Sequence, residues 1–292
     1  MKQRDVFRAQ ETEDLQTSSE RKVSGKVNKR KIFAFTAMLI GIIVMLGTGY
    51  RLFETRQTYQ QGSASYDEIN ALVKKTASIG TYAQQENTPQ TGAEAEHGTK
   101  AQIYIPDFEI DFDLLQSINK DSSAWLYSPN TVIDYPVMRA DNYTYYLSHL
   151  SDGTVNANGS LFIDYNNASD FSDDLTVIYG HHMKSGSMFG SLKGYKNQAY
   201  YEEHPYMYLY TPNGNHRIDI LYGSVIDAKE WSKRAFMHAE NTEELLAYAK
   251  QNTTFDSEAA YEQGDKIIVL STCSYEFNDA RYFVVGVVTG HG

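Results

Sequence analysis

A run of 19 residues without a charged side chain, from Ile32 to Tyr50, constrains this chain more than any other feature. As an α-helix it rises about 28 Å, close to the thickness of the hydrocarbon core of a bilayer. Segments of this length and composition are typical of membrane-spanning helices. The sequence therefore predicts a single transmembrane anchor over residues 32–50.

The charges before this run predict its orientation. Lys29, Arg30 and Lys31 stand immediately in front of it, and residues 1–31 together hold nine Lys/Arg against five Asp/Glu. By the positive-inside rule such a segment stays in the cytoplasm. We therefore expect a cytoplasmic tail over residues 1–31, a single-pass anchor in the cell membrane and an extracellular body.

A cleaved signal peptide is the alternative interpretation of the same run. The apolar stretch is longer than a typical signal core and begins only after 31 residues. The residues that follow it, Arg51-Leu52-Phe53-Glu54, do not form a small-x-small cleavage site. These features favour an uncleaved anchor.

The body beyond the run is acidic. It carries 17 Lys/Arg and 32 Asp/Glu, within a chain of net charge −11. This balance argues against nucleic acid as a partner, because a strongly acidic surface is repelled by phosphates. Hydrophobic residues at 41% and charged residues at 22% are typical of a globular protein with a packed core.

Residues 51–100 are predicted to hold one helix and a linker outside the membrane. Ile69, Leu72 and Val73 lie at helical spacing within residues 65–77, after a possible cap at Ser63 or Ser65. Residues 78–100 are polar and lack apolar periodicity, which is typical of a linker. Residues 88–92 spell Thr-Pro-Gln-Thr-Gly, which has the look of a cell-wall sorting signal; because no apolar segment and basic tail follow, chance is the better explanation.

From residue 101 onward the pattern changes to many short β-like runs, with turn clusters at 156–159 and 212–215. One helix, Thr242–Gln251, interrupts them before the last two strands. Many short strands with few helices predict a mainly β fold that forms a closed or nearly closed antiparallel barrel. The predicted strands are 103–105, 125–127, 132–137, 161–165, 175–179, 207–210, 217–226, 266–270 and 282–288, with a helical turn at 113–119.

The single cysteine of the chain, Cys273, cannot form an intramolecular disulfide. It is a buried structural thiol, an intermolecular link or a reactive group. Cys273 follows one apolar strand, and Arg281 begins the next, so antiparallel pairing of the two strands is expected to bring the residues together. A nearby guanidinium favours the nucleophilic thiolate and can hold an oxyanion or a carbonyl oxygen.

Histidines follow another predicted strand, residues 175–179. Gly180 lets the chain turn there, so that the imidazole of His181 or His182 can reach a cleft and carry a proton. Adjacent histidines normally point in different directions, and no carboxylate or thiol clusters with them locally. We therefore predict neither a metal nor another cofactor.

These motifs resemble the class B sortases. The resemblance rests on Tyr-Gly-His-His-Met at 179–183, Leu-Ser-Thr-Cys at 270–273 and an arginine eight residues after the cysteine. Two upstream stretches also resemble that class: Asp141-Asn142 to Tyr146-Leu147-Ser148-His149, and Gly-Ser-Leu-Phe-Ile-Asp-Tyr at 159–165. The likeness covers roughly residues 65–290.

The resemblance implies a barrel of about eight strands with an N-terminal helical appendage, and it makes residues 101–292 the catalytic domain. It implies that Cys273 is the nucleophile, that His181 is the general acid/base and that Arg281 binds substrate or steadies the oxyanion. Ser271, Thr272 and Tyr179 are weaker candidates for the substrate groove, and His182 matches the motif without a catalytic role.

The implied reaction is transpeptidation. The enzyme would cleave the C-terminal sorting signal of a secreted protein after its threonine and form a thioester on Cys273. It would then pass the acyl group to an amine of the peptidoglycan precursor or of a pilin. The sorting-signal sequence and the choice of acceptor are not determined by these motifs.

Two other classes compete with this interpretation. An L,D-transpeptidase places its His and Cys close together in sequence, whereas His181 and Cys273 are 92 residues apart. A non-catalytic surface β-domain, such as an adhesin or an anchored binding module, predicts a buried and unreactive Cys273. The paired motifs favour the sortase interpretation over both.

Overall fold

The computed structural model describes residues 29–76, 106, 108–233, 242–273 and 280–291. The linker expected at 78–100 and the strand expected at 103–105 lie outside these residues. The chain divides into two compact units between Thr55 and Arg56. Cys273 is described at the level of its backbone.

The first helix, α1, spans Lys29–Val73. Large apolar side chains from Phe33 to Phe53 are exposed, and this helix is long and apolar enough to cross a membrane. The helix expected to begin near Ser65 is therefore the last part of α1, and Ser65 lies inside it instead of capping it. The helix also ends earlier than expected, because β1 (Lys74–Thr76) takes over and pairs with β2 (Phe108–Ile110).

Eight strands form a closed barrel in the order β10-β8-β7-β3-β4-β5-β6-β9. This confirms the closed barrel of about eight strands that the sequence predicts. The strands are β3 (Ser122–Tyr127), β4 (Asp134–Met138), β5 (Leu161–Ile163), β6 (Leu175–Tyr179), β7 (Tyr206–Thr211), β8 (Gly214–Asp227), β9 (Ile267–Cys273) and β10 (Ala280–His291).

The expectation of a purely antiparallel barrel is wrong in detail. β5 runs parallel to β4, and β6 runs parallel to β9; the other neighbouring strands are antiparallel. Parallel neighbours need a long connection, and the chain between β6 and β9 supplies one that contains β7 and β8. The barrel is therefore mixed.

Apolar side chains pack on both surfaces of the barrel wall. All eight strands contribute to an interior cluster, which includes Ile178, Leu270 and Val284. An outer cluster, which includes Val177, Val269 and Phe283, lies on the other surface. Because successive residues of a strand point to opposite faces, these two clusters assign each position of β6, β9 and β10 to one face.

Short helices cover the outside of the barrel. α2 (Phe112–Ile118) precedes β3, and α3 (Gln198–Glu203) precedes β7. α4 (Ala228–Lys233) and α5 (Thr242–Gln251) follow β8 and contribute Trp231, Leu245 and Leu246 to the outer cluster. α5 has the bounds that the sequence predicts. A separate outer cluster joins Ile69 and Val73 of α1 to Trp125 and Tyr208 of the barrel.

Candidate active site

The three residues singled out by the motifs lie at one end of the barrel, because β9 runs between β6 and β10. In the parallel ladder, Tyr179 is level with Ser271, and the amide of Gly180 donates to the carbonyl of Ser271 at 3.2 Å. His181 and Cys273 each follow two residues further along their chains. On the other side of β9, Arg281 is the direct antiparallel partner of Cys273.

The face that carries these positions follows from the alternation along each strand. Val269 and Phe283 belong to the outer cluster, so positions 271, 273 and 281 lie on that same face. Directly opposed residues of an antiparallel pair have Cβ atoms about 5 Å apart on one face. The backbone register therefore places position 273 beside Arg281 on the outer face, at the end where α4 begins.

Gly180 lies at the end of β6, and packing explains why this position has no side chain. A Cβ there would lie 2.5 Å from Leu161 Cδ2 and 2.7 Å from Phe189 Cδ2. The turn itself does not require the left-handed backbone that only glycine adopts readily, because Gly180 is not among the residues with positive φ. Glycine thus lets the segment before His181 pass close to the barrel core.

His181 is half-buried, and its imidazole has a defined orientation. Its Nε2 lies 2.7 Å from the carbonyl oxygen of Leu147, which can only accept a hydrogen bond. Nε2 therefore carries the proton, and Nδ1 is the nitrogen that can take up or release one. The carbonyl of His181 in turn accepts from the amide of Phe189 at 3.0 Å.

His182 follows His181 directly and pairs through its backbone. Its backbone forms an isolated antiparallel bridge with Met188, and its side chain is half-buried. Among the described residues, no group of three or more His, Cys, Asp or Glu could hold a metal ion.

Arg281 is half-buried, and its guanidinium has unused hydrogen-bonding capacity. Its Nε is buried and has no hydrogen-bond partner within the part of the chain that the structure describes. Buried donors are almost always paired in proteins, so an unpaired one needs an explanation. A bound anion or carbonyl oxygen in the groove would satisfy it.

The three weaker candidates for the groove differ in position. Ser271 lies on the outer face, and its hydroxyl is buried without a partner among the described residues. Thr272 is the cross-strand neighbour of Tyr282, a member of the interior cluster, so it lies on the opposite face from Arg281. Ser271 thus lies on the same face as positions 273 and 281, and Thr272 does not.

Tyr179 is on the outer face, but its hydroxyl already has a partner. It donates to Asp164 Oδ2 at 3.1 Å, and Tyr143 donates to the same buried carboxylate at 3.0 Å. Burial, followed by the nearby Asp164 charge, raises the pKa of Tyr179 well above its usual value. Tyr179 therefore stays a neutral donor. Its ring lies in the outer cluster, and its hydroxyl is held by Asp164.

Sequence reasoning missed Leu147 and Gly159 as parts of the site. Both lie in stretches that the family resemblance includes, but neither has a side chain that suggests chemistry. Leu147 acts through its backbone carbonyl, and Gly159 packs against the imidazole: a Cβ at 159 would lie 3.0 Å from His181 Cδ2. The positive φ of Gly159, 58°, is the one conformational signal at this place.

Comparisons with known proteins agree with this arrangement, although no protein-family model matches the chain. The Sortase B of Listeria monocytogenes is 35% identical over 164 residues, which span 56% of this chain and 66% of that protein. The Sortase B of Staphylococcus aureus is 22% identical over 260 residues, which span 89% of this chain and 97% of that protein.

A solved structure of Sortase B from Listeria monocytogenes superposes with a TM-score of 0.52 and 32% identity, and the match covers 60% of this chain and 99% of that one. The barrel fold and these relatives indicate the same family as the sequence motifs at positions 181, 273 and 281. They do not favour a non-catalytic surface domain. The chain belongs to the class B sortases, a family of cysteine transpeptidases.

Proposed function

We propose that this protein is a membrane-anchored transpeptidase that cleaves a sorting signal through a thioester on Cys273. The observation that supports the proposal is the strand register: Arg281 is the direct partner of position 273, and the ladder of β6 with β9 ends at Tyr179 and Ser271, two residues before His181 and Cys273. Arg281 Nε, which is buried without a partner in the described part of the chain, also supports the proposal, because a substrate oxygen could accept its hydrogen bond.

In the first half of the reaction, the thiolate of Cys273 attacks the carbonyl carbon of the residue before the scissile bond. Negative charge moves to the carbonyl oxygen, and the guanidinium of Arg281 stabilises it. The C–N bond then breaks, and protonated His181 gives its Nδ1 proton to the leaving amine. The products are a thioester on Cys273 and the released C-terminal peptide.

In the second half, His181 is neutral and acts as the base. An incoming primary amine gives a proton to Nδ1 as its nitrogen attacks the thioester carbonyl. The C–S bond breaks, a new amide forms, and Cys273 returns as a thiolate beside protonated His181. The Leu147 carbonyl holds Nε2 throughout, so the same nitrogen, Nδ1, serves both steps.

Relatives indicate the substrates to try first. Solved structures include a Staphylococcus aureus sortase B–substrate complex, a Sortase B complexed with triglycine and a Streptococcus pyogenes class B sortase involved in pilus biogenesis. We propose that this chain likewise takes a sorting-signal peptide and an amine acceptor. The acceptor is an amine of the cell-wall precursor or of a pilin, and the acceptor experiment below separates the two.

We further propose that α1 anchors the enzyme with its N-terminus in the cytoplasm and its barrel outside. The apolar part of α1 and the basic residues before it support this orientation. It places the site where secreted proteins emerge. Protease added to intact cells should digest the barrel while a tag at the N-terminus survives; loss of the tag would contradict this topology.

The first experiment tests the residue roles with the full-length protein in detergent micelles and fluorogenic sorting-signal peptides. Cys273→Ala is expected to abolish cleavage, and His181→Ala to reduce it nearly to background. His182→Ala is the matched control and should keep substantial activity. Full loss at His182 with retention at His181 would overturn the assignment.

The lone cysteine permits a second test that needs no substrate. A small methanethiosulfonate reagent should modify the folded wild-type protein once, as measured by intact mass, and should leave Cys273→Ala unchanged. Blocking the thiol should abolish peptide cleavage. A folded protein that resists the reagent would mean that Cys273 is a structural thiol.

The acceptor is identified by competition between amines. A library of sorting-signal peptides is incubated with the enzyme and either triglycine or a lysine-containing pilin peptide, and the products are read by mass spectrometry. A preference for triglycine supports a wall acceptor, and a preference for the lysine side chain supports a pilin. Hydrolysis alone with both amines would contradict the proposed transfer step.

A further inference from the structure

The part of α1 that follows Arg56 packs against a loop of the barrel, residues 156–160. Asn156 Nδ2 donates to the carbonyl of Thr58 at 2.9 Å, and Asn158 Nδ2 donates to that of Tyr59 at 3.2 Å. Gly62 of α1 leaves no room for a side chain, because a Cβ there would collide with both asparagine side chains. Helix and loop are therefore in close contact through polar groups as well as by shape.

Tyr66 makes the deepest of these contacts. Its side chain is buried, and its hydroxyl donates to the carbonyl of Gly159 at 2.6 Å. The same hydroxyl lies 2.9 Å from Ser160 Oγ, which is also 2.9 Å from the carbonyl of His149. A buried hydroxyl bonded at this distance fixes the loop backbone on α1 at the position of Gly159.

The other side of Gly159 faces the active-site histidine. A Cβ at this position would lie 2.6 Å from the carbonyl oxygen of Tyr146, 2.9 Å from that of Leu147 and 3.0 Å from His181 Cδ2. The amide of Ser160 also donates to the carbonyl of Tyr146 at 2.9 Å. The backbone that Tyr66 holds is thus in contact with the imidazole and with the carbonyl that orients it.

We propose that Tyr66 is a positioning residue for His181. Its hydroxyl holds the Gly159 carbonyl, Gly159 packs against the ring, and the Leu147 carbonyl next to it keeps the proton on Nε2. The helix that leaves the membrane segment is therefore part of the catalytic machinery as well as a tether. This inference rests on the proposed role of His181 as general acid/base.

Removing the hydroxyl should loosen the ring without touching substrate. With Tyr66→Phe, the Gly159 carbonyl loses its donor while the ring of residue 66 keeps its packing. A misplaced proton carrier slows the chemical step, and displacements near 1 Å have cost other enzymes up to about 100-fold. We expect kcat to fall between about 5-fold and 100-fold, with KM close to the wild-type value.

The tautomer of His181 distinguishes a positioning role of Tyr66 from a purely structural one, because a loss of stability alone would not change it. ¹⁵N shifts of the imidazole distinguish a proton on Nε2 from one on Nδ1, and His181→Gln identifies the resonance among the eight histidines. Because a Cys273 thiolate would keep His181 protonated on both nitrogens, the measurement uses the full-length Cys273→Ala protein at a pH where the imidazole is neutral. This protein should show the proton on Nε2, and Tyr66→Phe in the same background should show a mixture of both forms.

Asn70→Ala is the matched control. Asn70 lies on the same helix, but its Nδ2 donates to Asp134 at 2.6 Å instead of contacting the 156–160 loop. It should lower the unfolding midpoint while leaving kcat and the His181 tautomer unchanged. Gly62→Ala is a second test from the helix side: its added methyl displaces Asn158 and should lower kcat in the same way.

The outcomes separate this inference from the proposed function. If Tyr66→Phe is destabilised but keeps wild-type kcat and a wild-type tautomer signal, Tyr66 has a structural role only and the positioning proposal is refuted. If the wild type transfers no sorting peptide at all, the proposed function fails. The tautomer measurement then still decides on positioning, because it uses no substrate.

Discussion

Two polar groups of the barrel wall have opposite surroundings. Near the end of α1, Asp134 accepts hydrogen bonds from Lys74 and Asn70 at 2.6 Å and from Trp125 Nε1 at 2.7 Å. At the end of β9 and β10, by contrast, Arg281 Nε and the hydroxyls of Ser271 and Thr272 are buried without partners among the described residues. The carboxylate of Asp134 thus has hydrogen-bond partners for both oxygens, whereas the polar atoms near Arg281 have none among the described residues.

A buried polar atom without a partner costs about 1–3 kcal/mol, so each one needs an explanation. Such atoms also occur away from Arg281, at Ser128, Asn158 and Thr176, so the lack of a partner among the described residues does not by itself mark a functional group. Position distinguishes the candidates: Arg281 Nε and the Ser271 hydroxyl lie on the outer face together with position 273. We infer that these two groups bind a ligand.

The largest expected effect is at Arg281. Arg281→Ala should lower kcat/KM for a sorting-signal peptide by about 10²–10³-fold, as for other groups that stabilise an oxyanion. The unfolding free energy should change little, because the Nε that the substitution removes has no hydrogen-bond partner among the residues that the structure describes. Peptide cleavage and denaturant unfolding of the same preparation measure both quantities.

Arg281→Lys sharpens this test. Lysine keeps the charge but loses the planar fork that binds an oxygen with two parallel hydrogen bonds, so activity should recover only in part. Full activity in Arg281→Ala would contradict a catalytic role. A large stability loss in Arg281→Ala would place Arg281 with the structural group instead.

The reverse result is expected at Asp134. Asp134→Ala removes the acceptor of three donors and leaves Lys74 without its counter-ion, which should lower the unfolding free energy by about 2–4 kcal/mol. The kcat/KM of the folded protein should stay close to that of wild type.

Lys75→Ala is the control for Asp134, because it removes an ion pair with Asp111 in which the lysine is exposed. Its unfolding free energy should match that of wild type. A loss of activity in Asp134→Ala at temperatures where the protein is folded would break the proposed separation between the two regions.

The dependence of stability on alkaline pH tests two buried tyrosine hydroxyls that do have hydrogen-bond partners, those of Tyr66 and Tyr282. Burial raises the pKa of Tyr66 and of Tyr282 above 10, whereas both ionise near 10 once unfolded. The folded state therefore keeps protons that the unfolded state loses. Stability should be unaffected below pH 10 and should fall above it by up to about 1.4 kcal/mol per tyrosine per pH unit.

Denaturant unfolding at several pH values between 8 and 11 measures this slope. Tyr66→Phe removes one of the contributing groups and should make the slope shallower. A free energy of unfolding that is constant up to pH 11 would show that these hydroxyls titrate equally in both states.

The smallest effect is expected at the neighbouring pair Ser271 and Thr272. Thr272→Val removes an unpaired hydroxyl on the interior face, so stability should be unchanged or raised by up to about 1 kcal/mol, with normal activity. Ser271→Ala should also keep its stability but lose several-fold in kcat/KM, because Ser271 lies on the Arg281 face. Equal activities of the two variants would remove Ser271 from the groove.

Local patterns predicted the elements that the sequence marks clearly. The bounds of β6 and α5 agree with expectation, because an apolar run and a helical repeat end there at turn residues. The parallel pairing of β6 with β9 was not predicted, since strands that follow each other in a chain usually pair antiparallel, and the partner of β6 is three strands further on. The continuity of α1 through residues 51–64 was not predicted, because the apolar run at 32–50 and the helical pattern at 65–77 give separate signals.

The sequence can point to site residues only where a side chain carries the chemistry. His181, Cys273 and Arg281 were chosen for their reactive groups, and the structure brings their backbone positions together. The roles of the Leu147 carbonyl and of Gly159 could not be predicted from the sequence, because a backbone atom has no sequence signature of its own. Tyr66 looked like one more aromatic residue of a helix until its hydroxyl was seen on Gly159.

The position of β9 between β6 and β10 affects the order in which the barrel assembles during folding. Its neighbours are β6, which lies about 90 residues earlier, and β10, which is the last strand of the barrel. The pair of β6 with β9 is long-range and forms late, because the chain between the two strands must first be closed into a loop. The proposed site is therefore complete only after β9 and β10, the last two strands, have joined the barrel.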